Sequence, residues 1–503
     1  MNNNLINNEK ILNNLLTSFG VSHVIFSIGS EDSSLKREME TSNQYKIYQA
    51  IDERNAGYFA LGLALELKAP IGVVCNTNAA ATNFLPAITE AFYQHLPVLF
   101  IAEVSADSEK TDPAVDNTFK TFTKESCHVP LIFDKDQERK NIVDISKALQ
   151  SLILYGAGPV FLSYEFAREN NIVCAGLPII KAISAHRDEA LWNEKVADLE
   201  KAKRIGILVG SEIDISNNAL LEFSEKFDCL VIKNTTFLDA ILNNNIDVNI
   251  FPEYIITFSE TLTEFDRLKI SLLKKLPFKH WHVNLSGYYY DIFGKLDTVF
   301  LATPNEFLDY FNKISKIRKG HEYVKSCNAI QNTGVLKSQK PEYRIFKALS
   351  SNLRQGFVQN SLETPLEEYD NLEWNNDLII NDTTYSKEKI GCLSTFLGMA
   401  RHMKNPCYII IDDICFYNDM NALMLREIHN NIHILLINKH QVSKASYTQT
   451  TPEGYRRENN LKEWAISTGF YYLYFDSIDA LIKYIENASD QKNYLPILLE
   501  ISI

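Results

Sequence analysis

Polar side chains that could do chemistry follow three apolar segments of this chain. Asn76 and Asn78 come just after the run IGVVC, and Asp412 and Asp413 come directly after CYIII. A further carboxyl, Glu53, follows IYQAID. In open parallel sheets, ligands bind outside the carboxyl ends of the strands, so these positions are the first candidates for a functional site. Carboxylates there hold protons or cations, or they stabilise the first turn of a helix.

These candidate residues belong to a unit that the chain contains twice. Positions 62–101 recur at positions 398–437 without a gap. Each copy reads as a helix, a buried strand, a second helix and another buried strand, which is typical of a parallel α/β unit. The identical pairs are Gly62 and Gly398, Ala64 and Ala400, Lys68 and Lys404, Pro70 and Pro406, and Ile101 and Ile437. Two similar α/β domains that face each other predict a cofactor held between them.

The alternation of strands and helices divides the chain into three parts of similar size. We predict domains at residues 1–185, 190–335 and 340–503. The polar stretch EYVKSCNAIQNTGVLKSQKPEY before the third domain is interpreted as a linker. Runs such as RIGILVG and HILLIN have the length and apolarity of buried parallel strands. The predicted fold class is α/β, with three doubly wound parallel sheets.

The composition excludes several classes of protein. With 503 residues, 46% hydrophobic and 22% charged, the chain is typical of a globular protein with several domains. No apolar run is long enough to span a membrane, and MNNNLINNEK is too polar for a signal sequence, so we expect a cytoplasmic protein. The net charge of −13 argues against nucleic-acid binding. Eight cysteines without a CxxC pattern predict reduced core residues.

Four segments resemble a known family. DERNAGYFALGLALELKAPIGVVC and ATNFLPAITEAFYQHLPVLFI are similar to the pyrimidine-binding domain of the thiamine diphosphate (ThDP) enzymes. HWHVNLSGYYYDIFGKL and FYNDMNALMLREI extend the resemblance to the other two domains, and it is closest to the menaquinone-pathway synthases (MenD). Those enzymes add a succinyl semialdehyde anion from 2-oxoglutarate to isochorismate. The resemblance implies the three-domain fold, ThDP with Mg²⁺, and a homodimer or homotetramer with small-molecule sites between subunits.

The resemblance gives Glu53 a specific role. It matches the glutamate that hydrogen-bonds N1′ of the aminopyrimidine and favours the tautomer that removes the C2 proton. Such a carboxyl must lie in a mostly apolar site, where its proton is shared with the ring. The alternative from the residues alone is that Glu53 only caps the helix that begins near Arg54. The family match favours the site role.

The metal positions depart from the family pattern. Family members have Gly-Asp after the strand of the third domain and Asn-Asn further along, where the Asp and the second Asn bind Mg²⁺. This chain has Asp412-Asp413 and Asn438-Lys439 at those places. Asp413 can still bind a metal ion, whereas a lysine ammonium cannot, so Lys439 is interpreted either as a phosphate contact or as a surface lysine. Asp412 adds a negative charge that would repel a diphosphate.

The loops that approach the phosphates differ as well. HQVSKASYTQ, which begins at His440, replaces a Gly-rich loop and has no glycine for close backbone approach. Where the family has Arg-Gly-Ala-Ser-Gly-Ile-Asp-Gly, this chain has TYSKEKIG at positions 384–391, and only Gly391 remains. Lys387 is a candidate phosphate contact, and His440 is a candidate for proton transfer.

The substrate positions have lost the arginines of the family. Those arginines hold substrate carboxylates by bidentate pairing. The matching places are Glu31 with Asp32, positions 102–106, and a position near Pro365, and no arginine occupies any of them. The candidate substrate pocket consists of Glu31, Asp32, Asn76, Asn78 and Ser105. Its negative charge would repel 2-oxoglutarate and isochorismate, which argues against the menaquinone reaction.

The histidines of HWHVN form a weaker candidate. His280 and His282 have strand spacing and lie on one face, as a metal-binding pair would. The sequence shows no third ligand, and the family has a similar segment in its middle domain. We therefore predict core or surface histidines rather than a metal site.

Two hypotheses about function follow. In the first, the protein is a ThDP enzyme that decarboxylates a 2-oxo acid and transfers the acyl anion to an acceptor, though not in the menaquinone reaction. In the second, ThDP is no longer bound, and the fold serves another chemistry or acts as a partner or regulator within an oligomer. Glu53 favours the first, and the altered metal and diphosphate positions favour the second.

Overall fold

The computed structural model describes most of the chain. The described residues are 6–27, 33–105, 118–166, 177, 189–210, 215–232, 251–258, 273–285, 291, 293–317, 319–320, 322–331, 341–362, 364, 366, 372, 374–375, 377–382, 390–425, 428–439, 461–487 and 495–502. The chain forms two compact units, one of Met1–Lys181 with Lys337–Ile503 and one of Ala182–Leu336. Within the described ranges, no helix is long and apolar enough to cross a membrane.

The first unit contains two parallel sheets with the same strand order. The strands of the first sheet are β1 His23–Ser27, β2 Lys46–Ala50, β3 Ile71–Cys75, β4 Val98–Ser105, β5 Glu125–Val129 and β6 Val160–Phe166, in the order β2-β1-β3-β4-β6-β5.

The second sheet of this unit comes from the C-terminal third of the chain. Its strands, numbered after those of the second unit, are β12 Gly356–Ser361, β13 Leu378–Asp382, β14 Cys407–Asp412, β15 Ile432–Asn438, β16 Tyr471–Phe475 and β17 Ile497–Ser502. Their order is β13-β12-β14-β15-β17-β16. Position by position this matches the first sheet, so the duplication seen in the sequence extends to the whole sheet.

The second unit contains a five-stranded parallel sheet. Its strands are β7 Ile205–Val209, β8 Cys229–Ile232, β9 Tyr254–Phe258, β10 Lys279–Asn284 and β11 Leu296–Leu301, in the order β11-β10-β9-β7-β8. With the two sheets of the first unit, this confirms the predicted fold class of three parallel α/β sheets. The central strands are continuous apolar runs because helices cover both faces.

The histidine pair of the second unit lies in its core. His280 and His282 are fully buried and share the hydroxyl of Thr257, at 2.9 Å and 2.7 Å. Burial lowers the pKa of His280 to about 3 and the pKa of His282 to about 4, so both rings are neutral. The prediction of structural histidines is confirmed, and they belong to the core.

Helices connect the strands. They are α1 Asn8–Ser18, α2 Ser34–Ser42, α3 Glu53–Leu67, α4 Asn78–Ala81, α5 Leu85–Tyr93, α6 Lys135–Ser151, α7 Glu189–Lys201, α8 Asn217–Phe227, α9 Pro304–Ile314, α10 Glu322–Gln331, α11 Pro341–Asn352, α12 Cys392–Ala400, α13 Asp413–Asp419, α14 Leu461–Ser467 and α15 Ile478–Asn487. The prediction of a linker is wrong in part, because EYVKSCNAIQ forms α10 and the last three residues of the stretch, PEY, begin α11.

The duplicated helices α3 and α12 pack against each other. A Cβ atom on Gly62 would lie 2.0 Å from the carbonyl oxygen of Thr395, and one on Gly398 would lie 2.2 Å from the carbonyl oxygen of Phe59. These distances are far below van der Waals contact, so only glycine allows the two backbones to approach this closely. The repeated glycines therefore mark the place where the two halves of the first unit meet.

The repeat is not gapless in three dimensions. Val74 of β3 pairs with Ile101 of β4, whereas the matching Ile410 of β14 pairs with Leu435 of β15. Ile101 thus corresponds in space to Leu435, two residues before Ile437. The expectation of a constant offset through the second strand is wrong, because the connection after β14 is two residues shorter than the one after β3.

Candidate functional site

Glu53 lies in the first turn of α3, just after β2, and its carboxyl has two hydrogen-bond donors. Ser27 Oγ, at the end of β1, donates to Oε1 at 3.0 Å, and Asn83 Nδ2, beyond β3, lies 3.5 Å from Oε2. Strands β2, β1 and β3 are neighbours, so three adjacent strand ends bring these side chains together. Glu53 is half-buried. The first sheet therefore ends in a partly accessible carboxyl that neighbouring side chains hold in place.

Asp52, and not Glu53, caps helix α3. Its side chain accepts the backbone N–H of Asn55 at 2.8 Å, which is the usual N-cap contact. The helix begins at Glu53, one residue before the start predicted at Arg54. The alternative that Glu53 only caps this helix is wrong, because Asp52 fills that position.

The other described candidates of the first domain lie at the same edge of the sheet. Asn76 is exposed directly after β3, Asn78 begins α4, and Ser105 ends β4. Strand β3 adjoins β1 and β4 adjoins β3 in this parallel sheet, so these side chains share an edge with Glu53. Glu31 and Asp32 lie outside the described residues. The substrate pocket as a whole stays a prediction.

A buried carboxyl near this edge was missed by sequence reasoning. Glu103 of β4 is 1% exposed and accepts the hydroxyl hydrogen of Tyr164 at 2.5 Å. Burial raises the pKa of Glu103. The backbone N–H of Leu35, at the start of α2, approaches the same carboxyl oxygen at 3.5 Å. The signal was an acidic residue within the apolar run VLFIAEV, and its place is in the core.

In the third domain, Asp412 caps its own helix. Its Oδ1 accepts the backbone N–H of Cys415 at 2.9 Å, and the residue is 1% exposed. Asp413, the first residue of α13, is buried to the same extent. A helix N-terminus attracts anions because its first N–H groups lack partners within the helix. Here the carboxylate of Asp412 already satisfies one of those groups.

The two residues at the end of β15 also contact acidic side chains. Asn438 Nδ2 donates to Glu500 Oε1 at 2.8 Å, and Tyr472 donates to the other oxygen of Glu500 at 2.6 Å. Lys439 Nζ lies 2.8 Å from Oε1 of Glu342, a residue of α11. The Lys439 and Glu342 side chains are 28% and 11% exposed. The ammonium that was interpreted as a phosphate contact or a surface lysine forms a partly buried ion pair.

Packing alone requires glycine at position 391, the one glycine that matches the family loop. It precedes α12 with φ of 74°, a conformation that side chains disfavour. A Cβ atom there would lie 2.2 Å from the ring of Tyr58 in α3. The residue is therefore needed for the approach of α3 to α12, whether or not a phosphate binds nearby.

Several candidates cannot be placed in this site. Lys387, His440 and the position near Pro365 lie outside the described residues. His433 is near the opposite end of β15 from Asn438 and is 3% exposed. It stacks on Tyr408 with ring centroids 4.4 Å apart, and burial lowers its pKa to about 4.

A buried polar cluster joins the two halves beside these strand ends. Asp419 accepts hydrogen bonds from the backbone N–H of Ser394 at 2.7 Å, the Ser394 hydroxyl at 2.9 Å and Asn55 Nδ2 at 2.8 Å. Burial raises the pKa of Asp419 to about 6. Sequence reasoning missed this cluster because its members come from α3, α12 and α13.

The start of α3 has two further contacts, one with α13 and one with the segment that follows it. Arg54 donates to the carbonyl oxygen of Asn418 at 3.0 Å, and Asn421 donates to the carboxyl of Asp52. The structure thus fixes the start of the Glu53 helix against the segment that follows β14.

The third-domain residues do not fit a Mg²⁺-diphosphate group held in the family's way. Asp412 is committed to its helix, Asn438 to Glu500 and Lys439 to Glu342. Asp413 is 1% exposed. In the described parts of the chain, no group of three or more His, Cys, Asp and Glu side chains is arranged to hold a metal ion.

The parallel sheets and their strand orders define an α/β protein with the fold of the ThDP enzymes, and comparisons with known proteins agree. The family model for the thiamine pyrophosphate enzyme, N-terminal TPP binding domain, matches residues 6–124. The structure of a thiamine diphosphate-dependent 4-hydroxybenzoylformate decarboxylase from Rhodococcus jostii superimposes with a TM-score of 0.69 at 14% identity, covering 99% of both chains. That likeness concerns the fold.

Relatives of similar length carry the sequence comparison. A 2-succinyl-5-enolpyruvyl-6-hydroxy-3-cyclohexene-1-carboxylate synthase from Bacteroides thetaiotaomicron is 25% identical, over 97% of this chain and 94% of its own. The synthase of the same name from Flavobacterium johnsoniae is 27% identical, over 83% of this chain and 80% of its own. By sequence and by fold, the chain is similar to thiamine diphosphate-dependent enzymes along most of its length.

Proposed function

We propose that this protein is a ThDP-family member that works without ThDP, as a partner or regulator in an oligomer or with a different ligand at the strand ends. The observation that carries the proposal is the buried carboxylate of Asp412, which caps α13 where the family has glycine. The cap already accepts the backbone N–H of Cys415, and it places a negative charge where a diphosphate would bind.

The electrostatics support this proposal. Two unit charges 4 Å apart repel by about 1 kcal/mol in water and about 4 kcal/mol in a partly buried setting. A diphosphate beside Asp412 would face this repulsion with more than one negative charge. Lys439 offers little compensation, because its ammonium is already paired with Glu342 at 2.8 Å.

The menaquinone reaction is excluded from this proposal. Arginine is absent from positions 29–32 and 102–106 and from the neighbourhood of Pro365, where the family holds substrate carboxylates. Glu31 and Asp32 place negative charge there instead, and they would repel a dicarboxylate such as 2-oxoglutarate.

The experiment is a thermal-unfolding measurement with ThDP and Mg²⁺ and again with ThDP and a chelator. A ligand at a hundred times its Kd adds about 2.7 kcal/mol to the free energy of unfolding, so binding would shift the Tm visibly. We expect no Mg²⁺-dependent shift for this protein and a clear shift for the Rhodococcus decarboxylase as the positive control. A comparable shift in both proteins would contradict the proposal.

A second candidate function rests on the surroundings of Glu53. Its carboxyl is half-buried and held by Ser27 and Asn83, as a carboxyl that shares a proton with a bound ligand would be. This candidate is a ThDP enzyme that decarboxylates a 2-oxo acid and transfers the acyl anion to an acceptor. It predicts turnover with some 2-oxo acid and its complete loss in Glu53→Gln with folding intact. Equal turnover in that variant would remove Glu53 from the reaction.

The oligomeric state is part of the same proposal. We expect a homodimer or homotetramer, as the family resemblance implies. Light scattering coupled to size-exclusion chromatography measures the mass directly against 57.5 kDa for one chain. A monomer at micromolar concentration would contradict the proposal of sites between subunits.

A further inference from the structure

A cavity of about 160 Å³ lies in the first unit, away from the strand-end residues. It is bounded by the edge strand β2, by the paired helices α3 and α12, and by the residues that lead into β15. Most of its wall is apolar, formed by Ile47, Phe59, Leu397, Ala400, Ile428 and Ile432.

The cavity is separate from the candidate site at the strand ends. Arg401, one of its lining residues, directly follows the last residue of α12, whereas Gly391 directly precedes the first. Nine helical residues span roughly 13 Å, so Arg401 and Gly391 lie at opposite ends of this helix.

The polar end of the cavity is built around Arg401. Its guanidinium carbon lies 5.6 Å from the centroid of the Tyr48 ring, and Nη1 lies 2.7 Å from Nε2 of His429. A guanidinium keeps its charge at any working pH and recognises carboxylates through two parallel N–H groups. Gln49 adds an amide to the same lining. One end of the cavity is therefore cationic and the rest is apolar.

The Tyr48 ring on which Arg401 stacks is itself held firmly. Its hydroxyl lies 2.9 Å from Nδ1 of His23 and 3.0 Å from Nε2 of His402, and the other nitrogen of His402 lies 2.9 Å from Glu66. This chain of contacts crosses the junction of α3 and α12. A recognition group that is fixed before binding loses little conformational freedom when the ligand arrives.

We propose that this cavity binds a small carboxylate whose apolar body is about the size of one benzene ring, with the carboxylate at Arg401. The size follows from the volume, since an apolar cavity of ~150 Å³ accepts benzene. The charge follows from the guanidinium at one end. The proposal does not depend on whether the strand ends bind ThDP.

The test uses benzoate and its neutral isostere benzamide as probes, titrated calorimetrically into the full-length protein. Benzoate binds, and benzamide binds at least tenfold more weakly, because only the anion pairs with Arg401. Arg401→Gln abolishes the preference for benzoate. Ile428→Trp fills the cavity with a larger side chain without changing its charge, and it abolishes binding of both probes.

The matched control is Arg344→Gln, which removes an arginine that pairs with Asp479 elsewhere in the first unit. It leaves the affinities for both probes unchanged. Because Arg401 also packs on Tyr48, circular dichroism checks the fold of each variant, and Ile428→Trp tests the site independently. Equal affinity for benzoate and benzamide, benzoate binding that survives Ile428→Trp, or no benzoate binding at millimolar concentration would each overturn the proposal.

Discussion

The two sheets of the first unit have the same strand order, but their carboxyl ends differ in what the side chains contact. In the first sheet, Ser27 and Asn83 converge on the half-buried carboxyl of Glu53. In the third, Asp412 caps a helix and Lys439 pairs with an acidic residue of its own domain. Glycines on both α3 and α12 allow the two halves to pack closely. At the ends of β14 and β15, by contrast, the polar side chains form hydrogen bonds and ion pairs within the protein.

The largest expected effect on stability comes from disrupting the close packing of α3 against α12. Gly62→Ala places a Cβ atom 2.0 Å from a backbone oxygen of α12, so the helices must separate. We expect the free energy of unfolding of the first unit to fall by about 3 kcal/mol or more, measured by urea denaturation. Gly320→Ala is the control, because the nearest atom to its Cβ would be 3.9 Å away. If Gly62→Ala has wild-type stability, the close contact of the halves is wrong.

The next effect concerns the cluster that joins the halves. The pKa of Asp419 is raised to about 6 in the folded protein, against about 3.9 in an unfolded chain. Between these values the folded state holds the proton more tightly, so the stability that Asp419 contributes is lost as pH rises from about 4 to 6.

In the Asp419→Asn variant this side chain no longer titrates, so comparison with the wild type isolates the pH dependence that Asp419 contributes to stability. Relative to the wild type, its free energy of unfolding should rise by roughly 2 to 3 kcal/mol between pH 4 and pH 7. Urea denaturation of both proteins at the two pH values gives the difference. A difference that does not change with pH would show that Asp419 has an ordinary pKa.

A smaller loss of stability tests whether Asp412, at the end of β14, is the buried N-cap of α13. Asp412→Ala removes the cap and leaves the buried N–H of Cys415 without its acceptor, at an expected cost of about 2 kcal/mol. Asp134→Ala removes the exposed cap of α6, where water can replace the carboxylate, and should cost about 1 kcal/mol or less. Equal costs in the two variants would mean that Asp412 is not the buried cap described above.

The smallest effect concerns the ion pair of Lys439. A double-mutant cycle with Lys439→Met and Glu342→Gln should give a coupling free energy of about 1 kcal/mol, because both side chains are partly buried. The same cycle on Lys147 and Glu125, of which the lysine is 66% exposed, should give less than about 0.5 kcal/mol. A coupling near zero for the first pair would leave Lys439 available to a phosphate.

Much of the fold could be predicted from the sequence, because the central strands are continuous apolar runs such as CYIII and VLFIA. Strand β12, GFVQNS, was missed because half of it is polar. Its buried Gln359 and Asn360 are satisfied by the carbonyl oxygens of Cys392 and Thr364. Such side-chain to backbone contacts have no sequence pattern, and neither has the two-residue shift between the copies.

The candidate site was predicted only in part. The position of Glu53 at a strand end followed from the pattern around it, and so did the unusual charges at Asp412 and Lys439. Their partners did not, because Glu342 lies far from Lys439 in the sequence and the cap at Asp412 depends on where α13 begins. The residue types at Asp412 and Lys439 showed that these positions differ from the family pattern. Only their contacts in the structure show what the two side chains do.

The measurement that tests the central claim most directly is a calorimetric titration of ThDP into the purified protein with Mg²⁺, repeated with a chelator. The closed third-domain strand end predicts no detectable heat of binding up to millimolar ThDP in either buffer. Micromolar binding that the chelator abolishes would show that Asp413 and its neighbours still hold a metal-bound diphosphate, and it would contradict the account.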